Sequence, residues 1–409
     1  MKSVISVLLS CVLALCLCVS PLAAQTVREQ EELPASVAAS INVENAKANA
    51  GADLPVTVDA KAAVLMDCAG GTVLVEHNAD TPLYPASVTK IMTILLVVEA
   101  LDEGKIALTD TVTTSANAAS KGGSQIWLKE GEQMTVDELL RATVIGSAND
   151  AATALAEYVS GSEEAFVAAM NERAKELGMK NTHFCNPTGL DDDVTDHLTT
   201  ARDVALMSRA LLQHEIVRKY STVWMDTLRD GATELVNTNK LVRFYEGTTG
   251  LKTGTTSKAG CCVSASAERE GLHLIAVVMG SGSSKARFDT AKALLNYGFA
   301  TYTTVVPPVD ETLFHPVTVL GGEQNSVRVT VPELSPLLVK KGQESSVLKT
   351  VELDGSVEAP VLSDQTLVTL TVTMEGETVQ KLPLKPSVPV AKLSFFGMLQ
   401  RVARALCVG

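Results

Sequence analysis

Apolar residues along the chain follow a strand-like pattern first and a helix-like pattern after it. The apolar runs at residues 62–66 and 73–75 flank a glycine-containing turn, a combination that predicts a β-hairpin. Between residues 87 and 101 the apolar positions recur every three or four residues, at Ile91, Leu95, Val98 and Leu101. That period predicts a helix that begins at Ser87.

Four more segments show helical periodicity before the short apolar runs return. The predicted helices cover residues 131–145, 150–158, 166–177 and 200–212. Two segments of β character, 262–267 and 272–279, then flank a predicted hairpin turn. A closing helix follows at 284–295. Strands at both ends with helices between them predict one α+β unit whose terminal strands pair in a single sheet.

A second pattern begins after about residue 304. Valines alternate with polar residues at 327–331, and apolar residues alternate again at 370–374, just before the glycine at 376. This period of two is typical of half-buried strands. We therefore expect a small β-rich domain at 305–385, after a larger unit at 53–304.

The last segment, 386–409, combines a proline-containing linker with a helical pattern. Its apolar stripe consists of Phe395, Leu399, Val402 and Leu406. The other side of the helix carries Gln400, Arg401 and Arg404. No acidic residue follows Glu377, so this end is basic although the chain as a whole is acidic. The pattern predicts a helix that anchors the protein to a membrane surface. The alternative is a helix docked on the protein's own core.

The N-terminal residues 1–24 have the pattern of a secretory signal peptide. Lys2 precedes an apolar run at 4–19, and small residues lead to a cleavage site near Ala24. Residues 25–52 lack a clear period and predict a linker, so we expect an exported protein at the outer face of the cytoplasmic membrane. Two alternatives are a membrane-spanning anchor, for which the run is short, and a lipid-modified Cys11.

Composition narrows the class of protein further. The chain has 409 residues, of which 46% are hydrophobic and 20% charged, as is ordinary for a globular protein with more than one domain. The net charge of −13 argues against nucleic acid as a partner. Five of the eight cysteines lie outside the signal peptide and are scattered, which argues against a disulfide framework. The six histidines show no metal-binding spacing, so we expect no metal and no cofactor.

Three short motifs carry candidate chemistry. S-x-x-K occurs at Ser87 and Lys90, S-x-N at Ser147 and Asn149, and K-T-G at 252–254, in that order along the chain. Together they are the signature of serine acyl-transferases that react with penicillin. The gaps between them resemble those of class A β-lactamases and small penicillin-binding proteins.

Each motif is weak alone, because two of them recur elsewhere. A second S-x-x-K lies at 346–349, and further S-x-N triplets lie at 40–42 and 115–117. The S-x-x-K at 346–349 falls in the β-rich part, where residues three apart do not share a face. We prefer Ser147 to Ser115 because it lies between two predicted helices. Taken singly, Ser87 and Ser147 could instead be helix N-caps, and K-T-G an ordinary strand end.

The spacing of Ser87 and Lys90 suits nucleophilic catalysis. A serine hydroxyl needs a base, and residues three apart on a helix share a face. Lys90 can act as that base if burial and a nearby cation such as Lys252 lower its pKa. The helix N-terminus also favours negative charge that develops at Ser87.

The other motif residues suit proton transfer and substrate binding. Ser147 can relay a proton to the leaving amine, and Asn149 can hold a backbone group of the substrate. Lys252 and Thr253 present a charge and a hydroxyl suited to a terminal carboxylate. Close backbone approach at Gly254, and an oxyanion hole from the backbone N–H groups of Ser87 and Thr255, complete the predicted site.

Around these motifs the chain resembles the D-alanyl-D-alanine carboxypeptidases, which are low-molecular-mass penicillin-binding proteins. The matching stretches are residues 84–93, 146–151, 184–190 and 250–254, and the resemblance extends over about 53–385. It implies a β-lactamase/transpeptidase-like catalytic domain, built from an antiparallel sheet with helices, and a small β-rich domain after it.

The resemblance also implies an activity. The family removes the terminal D-alanine from peptidoglycan stem pentapeptides through an acyl-enzyme, which limits crosslinking of the cell wall, and β-lactam antibiotics acylate the same serine. Here Ser87 would be acylated, Lys90 would accept its proton and Ser147 would relay it. Lys252 would bind substrate, with Arg287 near the substrate carboxylate. Two positions depart from the family pattern: Ala148, where glycine is frequent, and Thr255, where histidine is frequent.

Other activities use the same residues. A β-lactamase needs a glutamate in an E-x-x-L-N loop, and none occurs between Ser147 and Lys252. A D,D-endopeptidase that cuts crosslinks remains an alternative. So does a penicillin-binding regulator without catalysis, although all the expected catalytic residues are present.

Overall fold

The computed structural model describes residues 54–408, except 193, 307–313, 332–333, 354–355 and 375. The predicted signal peptide, the linker to residue 52, Cys11 and the S-x-N triplet at 40–42 lie outside the described residues. No described helix is both long enough and apolar enough to cross a bilayer.

The first domain contains nine strands and nine α-helices among its described residues. The strands are β1 Ala62–Asp67, β2 Val73–His77, β3 Thr111–Thr113, β4 Gln133–Thr135, β5 Met225–Leu228, β6 Thr233–Val236, β7 Thr248–Thr256, β8 Gly260–Arg269 and β9 Leu272–Ser281. The helices are α1 Lys90–Asp102, α2 Ala116–Ala119, α3 Val136–Val144, α4 Asn149–Ser160, α5 Glu163–Glu176, α6 Ala201–Leu212, α7 Ile216–Ser221, α8 Leu241–Phe244 and α9 Ser284–Thr301. A 3₁₀ helix, Ala86–Thr89, precedes α1.

Five strands form the central antiparallel sheet, in the order β2-β1-β9-β8-β7. The first strand of the domain pairs with β9, with Ala62 opposite Met279 and Val64 opposite Val277. The terminal strands therefore share one sheet, and the predicted α+β class is confirmed. β7 lies at the edge of the sheet, so no described strand pairs with its outer side.

Both faces of the sheet are covered by helices. Along β9, Leu274, Ala276 and Val278 pack with α9 on one side, and Ile275, Val277 and Met279 pack with the other helices on the opposite side. Because alternate residues of a strand point to opposite faces, a strand buried on both faces reads as one continuous apolar run. The run at 272–279 is therefore the centre of a three-layer core.

Two predicted helix boundaries differ most from the structure, each for a local reason. The helix expected at 131–145 begins only at Val136, because Thr135 and Glu138 form a capping box there and Gln133–Thr135 pairs with β3. The closing helix expected at 284–295 runs on to Thr301. Gly298 lets its last turns approach the sheet, since a Cβ at this position would lie 2.4 Å from Leu274 Cδ1.

The second domain is built from short strands, as predicted. They are β10 Tyr302–Val305, β11 Val317–Leu320, β12 Ser326–Val327, β13 Val329–Thr330, β14 Leu337–Lys340, β15 Val347–Leu353, β16 Ser356–Glu358, β17 Val368–Met374 and β18 Glu377–Pro386. The pattern at 370–374 lies in β17, which pairs with β18 across the turn at Gly376. The pattern at 327–331 is not one strand: β12 and β13 belong to different sheets.

A terminal helix, α10 Phe395–Val408, follows the second domain. Its apolar stripe is exposed, with Phe395 at 75%, Leu399 at 59% and Leu406 at 79% of full exposure. Arg401 on the other side bonds Asn325 Oδ1 at 2.8 Å and the carbonyl of Glu323 at 2.9 Å. The four residues of this stripe are thus exposed and are not docked on the protein's own core.

Candidate active site

Ser87 and Lys90 are brought together by a change of helix type. Ser87 lies in the 3₁₀ helix Ala86–Thr89, and α1 starts at Lys90. Ala86 opens this turn with φ of +49°, in the left-handed region that few non-glycine residues adopt. Lys90 Nζ lies 3.0 Å from Ser87 Oγ, which is the contact predicted from their spacing.

Lys90 is fully buried, and its amine is held by three oxygen atoms. Besides Ser87 Oγ, it contacts Asn149 Oδ1 at 2.5 Å and the carbonyl of Thr188 at 2.8 Å. Burial, followed by the charge of Lys252, lowers the pKa of Lys90 well below its ordinary value, while Asp150 acts in the opposite direction. The environment therefore favours the neutral amine.

The contacts around a neutral Lys90 amine determine whether it donates or accepts a proton at Ser87. The amide oxygen of Asn149 and the carbonyl of Thr188 can only accept hydrogen bonds, so they take both N–H groups of the amine. The remaining lone pair then faces Ser87 Oγ. Lys90 is thus placed to accept the hydroxyl proton of Ser87.

Asn149 acts on the lysine in this structure. Its Oδ1 accepts from Lys90, and its Nδ2 donates to the carbonyl of Gly122 at 2.6 Å. The predicted role in holding a substrate backbone group would fall to the second N–H of the amide. The hydrogen bond from Lys90 to Asn149 was not predicted from the sequence.

Ser147 and Lys252 form the second half of the site. Lys252 Nζ donates to Ser147 Oγ at 2.8 Å and to the carbonyl of Thr253 at 3.1 Å. Burial, and after it the charge of Arg287, lower the pKa of Lys252 to about 7. Ser147 is 4% exposed and has φ of +62°, so its backbone is held in a strained conformation beside the reacting groups.

The K-T-G strand packs directly on the nucleophile turn. A Cβ added to Gly254 would lie 2.7 Å from the carbonyl of Pro85 and 2.9 Å from the backbone nitrogen of Ser87. Only glycine allows β7 to approach that closely. Thr253 Oγ1 donates to Thr238 Oγ1 at 2.8 Å on the neighbouring segment.

Arg287 supports this strand from α9. Its Nη1 donates to the carbonyl of Gly254 at 2.9 Å, to Thr255 Oγ1 at 3.0 Å and to the carbonyl of Cys262 at 3.2 Å. The side chain is 7% exposed. The structure therefore places Arg287 under the end of β7, where it also adds positive charge near Lys252.

A turn at 186–189 completes the site and was not assigned a role from the sequence. Asn186 Oδ1 accepts from the backbone N–H groups of Thr188 and Gly189, which aims the Thr188 carbonyl at Lys90. Thr93 Oγ1 donates to the carbonyl of Pro187 at 2.6 Å. The N-P-T-G sequence is typical of a side-chain-capped turn, and that signal could have located it.

A buried histidine ties the same turn to the nucleophile helix. His197 Nδ1 accepts from the Cys185 N–H at 3.0 Å, so Nε2 is left to donate to Thr89 Oγ1 at 2.8 Å. Burial, with the charge of His183, lowers the pKa of His197 to about 4. The ring is therefore neutral at physiological pH.

The duplicate motifs lie elsewhere. Ser115 caps α2 by accepting from Ala118 N–H, and Asn117 bonds Glu157 and Glu163. Ser346 lies in a short 3₁₀ helix of the second domain, followed by β15. Both duplicates are therefore structural features outside the site.

The chain is similar to known proteins along most of its length. A family model described as D-alanyl-D-alanine carboxypeptidase matches residues 46–283, and one described as penicillin-binding protein 5, C-terminal domain, matches 302–392. The D-alanyl-D-alanine carboxypeptidase DacF of Bacillus subtilis (strain 168) is 42% identical over 347 residues, which are 84% of this chain and 89% of that protein.

Solved structures show the same likeness. Penicillin binding protein 5 from Haemophilus influenzae aligns with a TM-score of 0.71 and 32% identity, over 83% of this chain and 100% of that one. Penicillin-binding protein D2 from Listeria monocytogenes, in its ampicillin-bound form, aligns with a TM-score of 0.55 and 32% identity, over 60% of this chain and 99% of that one.

The close approach of the 186–189 turn to the nucleophile predicts that Gly189 cannot be replaced. In Gly189→Ala the new Cβ would meet the Ala86 carbonyl at 1.8 Å, at φ of +83°. We expect a loss of more than about 2 kcal/mol in the free energy of unfolding, measured by urea denaturation.

Gly104→Ala is the matched control, since Gly104 has φ of +68° but no atom within 4 Å of an added Cβ. Its free energy of unfolding should fall by only about 1 kcal/mol, which is the cost of placing alanine in the left-handed backbone conformation. Equal losses in the two variants would mean that the contact with Ala86 contributes nothing.

Proposed function

The chain belongs to the D-alanyl-D-alanine carboxypeptidase family, and we propose that it removes the terminal D-alanine from peptidoglycan stem pentapeptides through a serine acyl-enzyme on Ser87. One observation carries the proposal: the buried Lys90 amine lies 3.0 Å from Ser87 Oγ and contacts two oxygens that can only accept hydrogen bonds, so a neutral amine there directs its lone pair at Ser87 Oγ. Removal of the pentapeptide's last residue limits the crosslinks that the cell wall can form.

In the first step Lys90 takes the proton of Ser87, and Ser87 Oγ attacks the carbonyl carbon of the D-Ala-D-Ala bond. A C–O bond forms, and the carbonyl oxygen becomes an oxyanion. The backbone N–H groups of Ser87 and Thr255 would stabilise that charge. The contact of Gly254 with Ser87 supports this pairing, because it keeps the two backbone segments adjacent.

In the second step the C–N bond breaks and D-alanine leaves. Its amine needs a proton, which Lys90 would return by way of Ser147, leaving an ester on Ser87. Water then attacks the ester, Lys90 again accepts a proton, and Ser87 is regenerated. The bond from Lys252 to Ser147 Oγ supports the relay, since it leaves the hydroxyl proton of Ser147 free to be donated elsewhere.

Substrate binding would use the open edge of β7. An extended stem peptide can add to an edge strand by main-chain hydrogen bonds. Its terminal carboxylate would then be met by Lys252 and Thr253, with Arg287 acting through the Gly254 carbonyl that it holds. A β-lactam carries a carboxylate and a strained amide, so it would enter the same site and acylate Ser87.

The predicted signal peptide and the terminal helix both support a location in the cell envelope. An exported protein with this substrate would work at the outer face of the cytoplasmic membrane. The exposed apolar stripe of α10, with Phe395 and Leu399, supports a membrane-surface anchor at the C-terminus.

Ser87→Ala tests the nucleophile. We expect the purified full chain to release D-alanine from a stem pentapeptide and to carry a penicilloyl adduct by intact mass after incubation with penicillin. Ser87→Ala should lose both signals, with D-alanine release falling by at least about a thousandfold, because Ser87 Oγ is the hydroxyl that the Lys90 amine contacts, beside two oxygens that carry no proton.

Ser115→Ala is the control, because Ser115 belongs to a duplicate motif and caps α2. It should retain both signals. D-alanine release by Ser87→Ala would disprove the assignment. A wild-type adduct without release would indicate an endopeptidase or a regulator, and rapid penicillin turnover would indicate a β-lactamase.

The pH dependence of acylation tests the coupling of the two lysines. Below pH 7 Lys252 is protonated, and its charge lowers the pKa of Lys90. Lys252→Gln removes that charge, so the pKa of Lys90 rises and less of it is neutral at a given acidic pH. The acid-side midpoint of the penicillin acylation rate should therefore move to higher pH.

Lys252→Arg keeps the charge and is the matched variant for the pH profile. Its acid-side midpoint should stay near that of the wild type, even if both variants acylate more slowly in absolute terms. An unchanged midpoint in Lys252→Gln would show that Lys252 does not set the protonation of Lys90.

Vesicle binding tests the terminal helix. The full chain should sediment with vesicles of anionic phospholipid, and Phe395→Ser with Leu399→Ser should weaken that binding by more than about tenfold, because two apolar side chains leave the interface.

Leu362→Ser is the control, since Leu362 is also exposed, at 59%, but lies outside α10. It should bind vesicles as the wild type does. Equal binding by the wild type and the α10 variant would contradict the anchor.

A further inference from the structure

Three metal-ligating side chains converge at the surface beside the active-site turn. Cys185 Sγ lies 3.7 Å from His183 Nδ1 and 3.2 Å from Asp196 Oδ1, and His183 Nδ1 lies 3.3 Å from Asp196 Oδ2 and 3.2 Å from the carbonyl oxygen of Asp196. All three belong to one cluster whose ligand atoms lie within 4.8 Å of one another. The proposed acyl transfer uses none of them.

The backbone explains why these residues meet. His183 and Leu198 exchange two backbone hydrogen bonds, which closes the neck of the loop between them. His183 and Cys185 are two apart in sequence, where the chain leaves the bridge to Leu198 and enters a bend, and their ligand atoms lie on the same side of the chain. Asp196 reaches them from the other side of the neck, although it is 11 positions from Cys185 in the sequence. Because Asp196 is so far from the other two residues in the sequence, no short sequence motif indicated the cluster.

The distances approach those of tetrahedral coordination. Bonds from zinc to thiolate, imidazole and carboxylate are about 2.3, 2.0 and 2.1 Å, so neighbouring ligand atoms in a tetrahedron stand about 3.3–3.6 Å apart. Cys185 Sγ lies 3.7 Å from His183 Nδ1 and 3.2 Å from Asp196 Oδ1, whereas His183 Nδ1 lies 3.3 Å from the other carboxylate oxygen, Oδ2. With one oxygen of Asp196 as the ligand, the three ligand atoms lie within 4.8 Å of one another, so a rotation of the exposed Asp196 carboxylate can bring them to the required triangle.

The kind of ligand selects the kind of ion. A thiolate and an imidazole favour Zn²⁺ and related transition metals over Mg²⁺ or Ca²⁺, which prefer oxygen. His197 is excluded as a fourth ligand, because it is fully buried and both of its ring nitrogens are held inside the fold, by Cys185 N–H and by Thr89. His183 and Asp196 keep 56% and 69% of their side-chain exposure, so a fourth position is open to solvent.

We propose that His183, Cys185 and Asp196 form a Zn²⁺-binding site that clamps the neck of the loop carrying Thr188. Without metal the Cys185 thiol donates to Asp196 Oδ1, and the ion replaces that proton. Bound Zn²⁺ links the two sides of the neck, from which the Thr188 carbonyl reaches Lys90 and His197 reaches Thr89. The ion stabilises this loop and takes no part in acyl transfer.

The test measures metal binding on the untagged full chain. Titration with Zn²⁺ against a chromophoric chelator should give one ion per chain at this site. Co²⁺ as a probe should give thiolate-to-cobalt charge-transfer absorption together with the visible bands of a tetrahedral ion. Zn²⁺ should raise the melting temperature in a saturable way.

Cys185→Ser and Asp196→Asn should each abolish the cobalt signal and the melting shift. Asp196 is exposed, so its variant is expected to fold even if the cysteine variant does not. Cys261→Ser is the matched control, a half-buried free thiol outside the cluster, and should bind as the wild type does. Metal binding that survives in Cys185→Ser and Asp196→Asn, or its absence from the wild type, would overturn the proposal.

Discussion

The burial of the Lys90 amine is the constraint on which the rest of the site depends. An ammonium group removed from water without a directly bonded carboxylate is costly, so burial drives the group toward its neutral form. Lys252 adds to this effect by repulsion. The neutral amine needs two acceptors for its N–H groups, and Asn149 and Thr188 supply them. Only then does its lone pair become available to the serine.

Each partner of that amine comes from a different part of the chain, and the fold must force them together. Ser147 and Ala86 are held at positive φ, and Gly189 and Gly254 make contacts that no side chain would permit. Such strained backbone conformations and close contacts are common at active sites, where the surrounding structure holds residues in positions that they would not adopt on their own. The buried strands β8 and β9, covered on both faces, supply the frame that maintains them.

Much of this arrangement could be predicted from sequence, and the limits have physical causes. The contact between Ser87 and Lys90 follows from helical spacing, and the shared sheet follows from apolar runs at both ends of the domain. The role of Thr188 could not be foreseen in the same way, because it acts through a carbonyl that every residue has. From the sequence Asn149 was expected to hold the substrate. A side-chain amide can bond either a substrate or a neighbouring side chain, and the sequence does not show which of them lies beside it. The division of the strand expected at 327–331 depends on which sheet each half joins.

Lys252 shows how function and stability oppose each other here. Its pKa is about 7 in the folded protein, against an ordinary value near 10.5. Between these two values the unfolded chain binds a proton that the folded chain does not, so the free energy of unfolding falls as pH falls through that window. At neutral pH the fold therefore loses stability, on the order of a few kcal/mol, by burying this lysine beside Arg287. A hydrophobic residue would remove that loss, but it would provide neither the charge that lowers the pKa of Lys90 nor a donor for Ser147. The two buried lysines are thus explained by the chemistry of the site, and the apolar core on both sides of the sheet is what makes their burial possible.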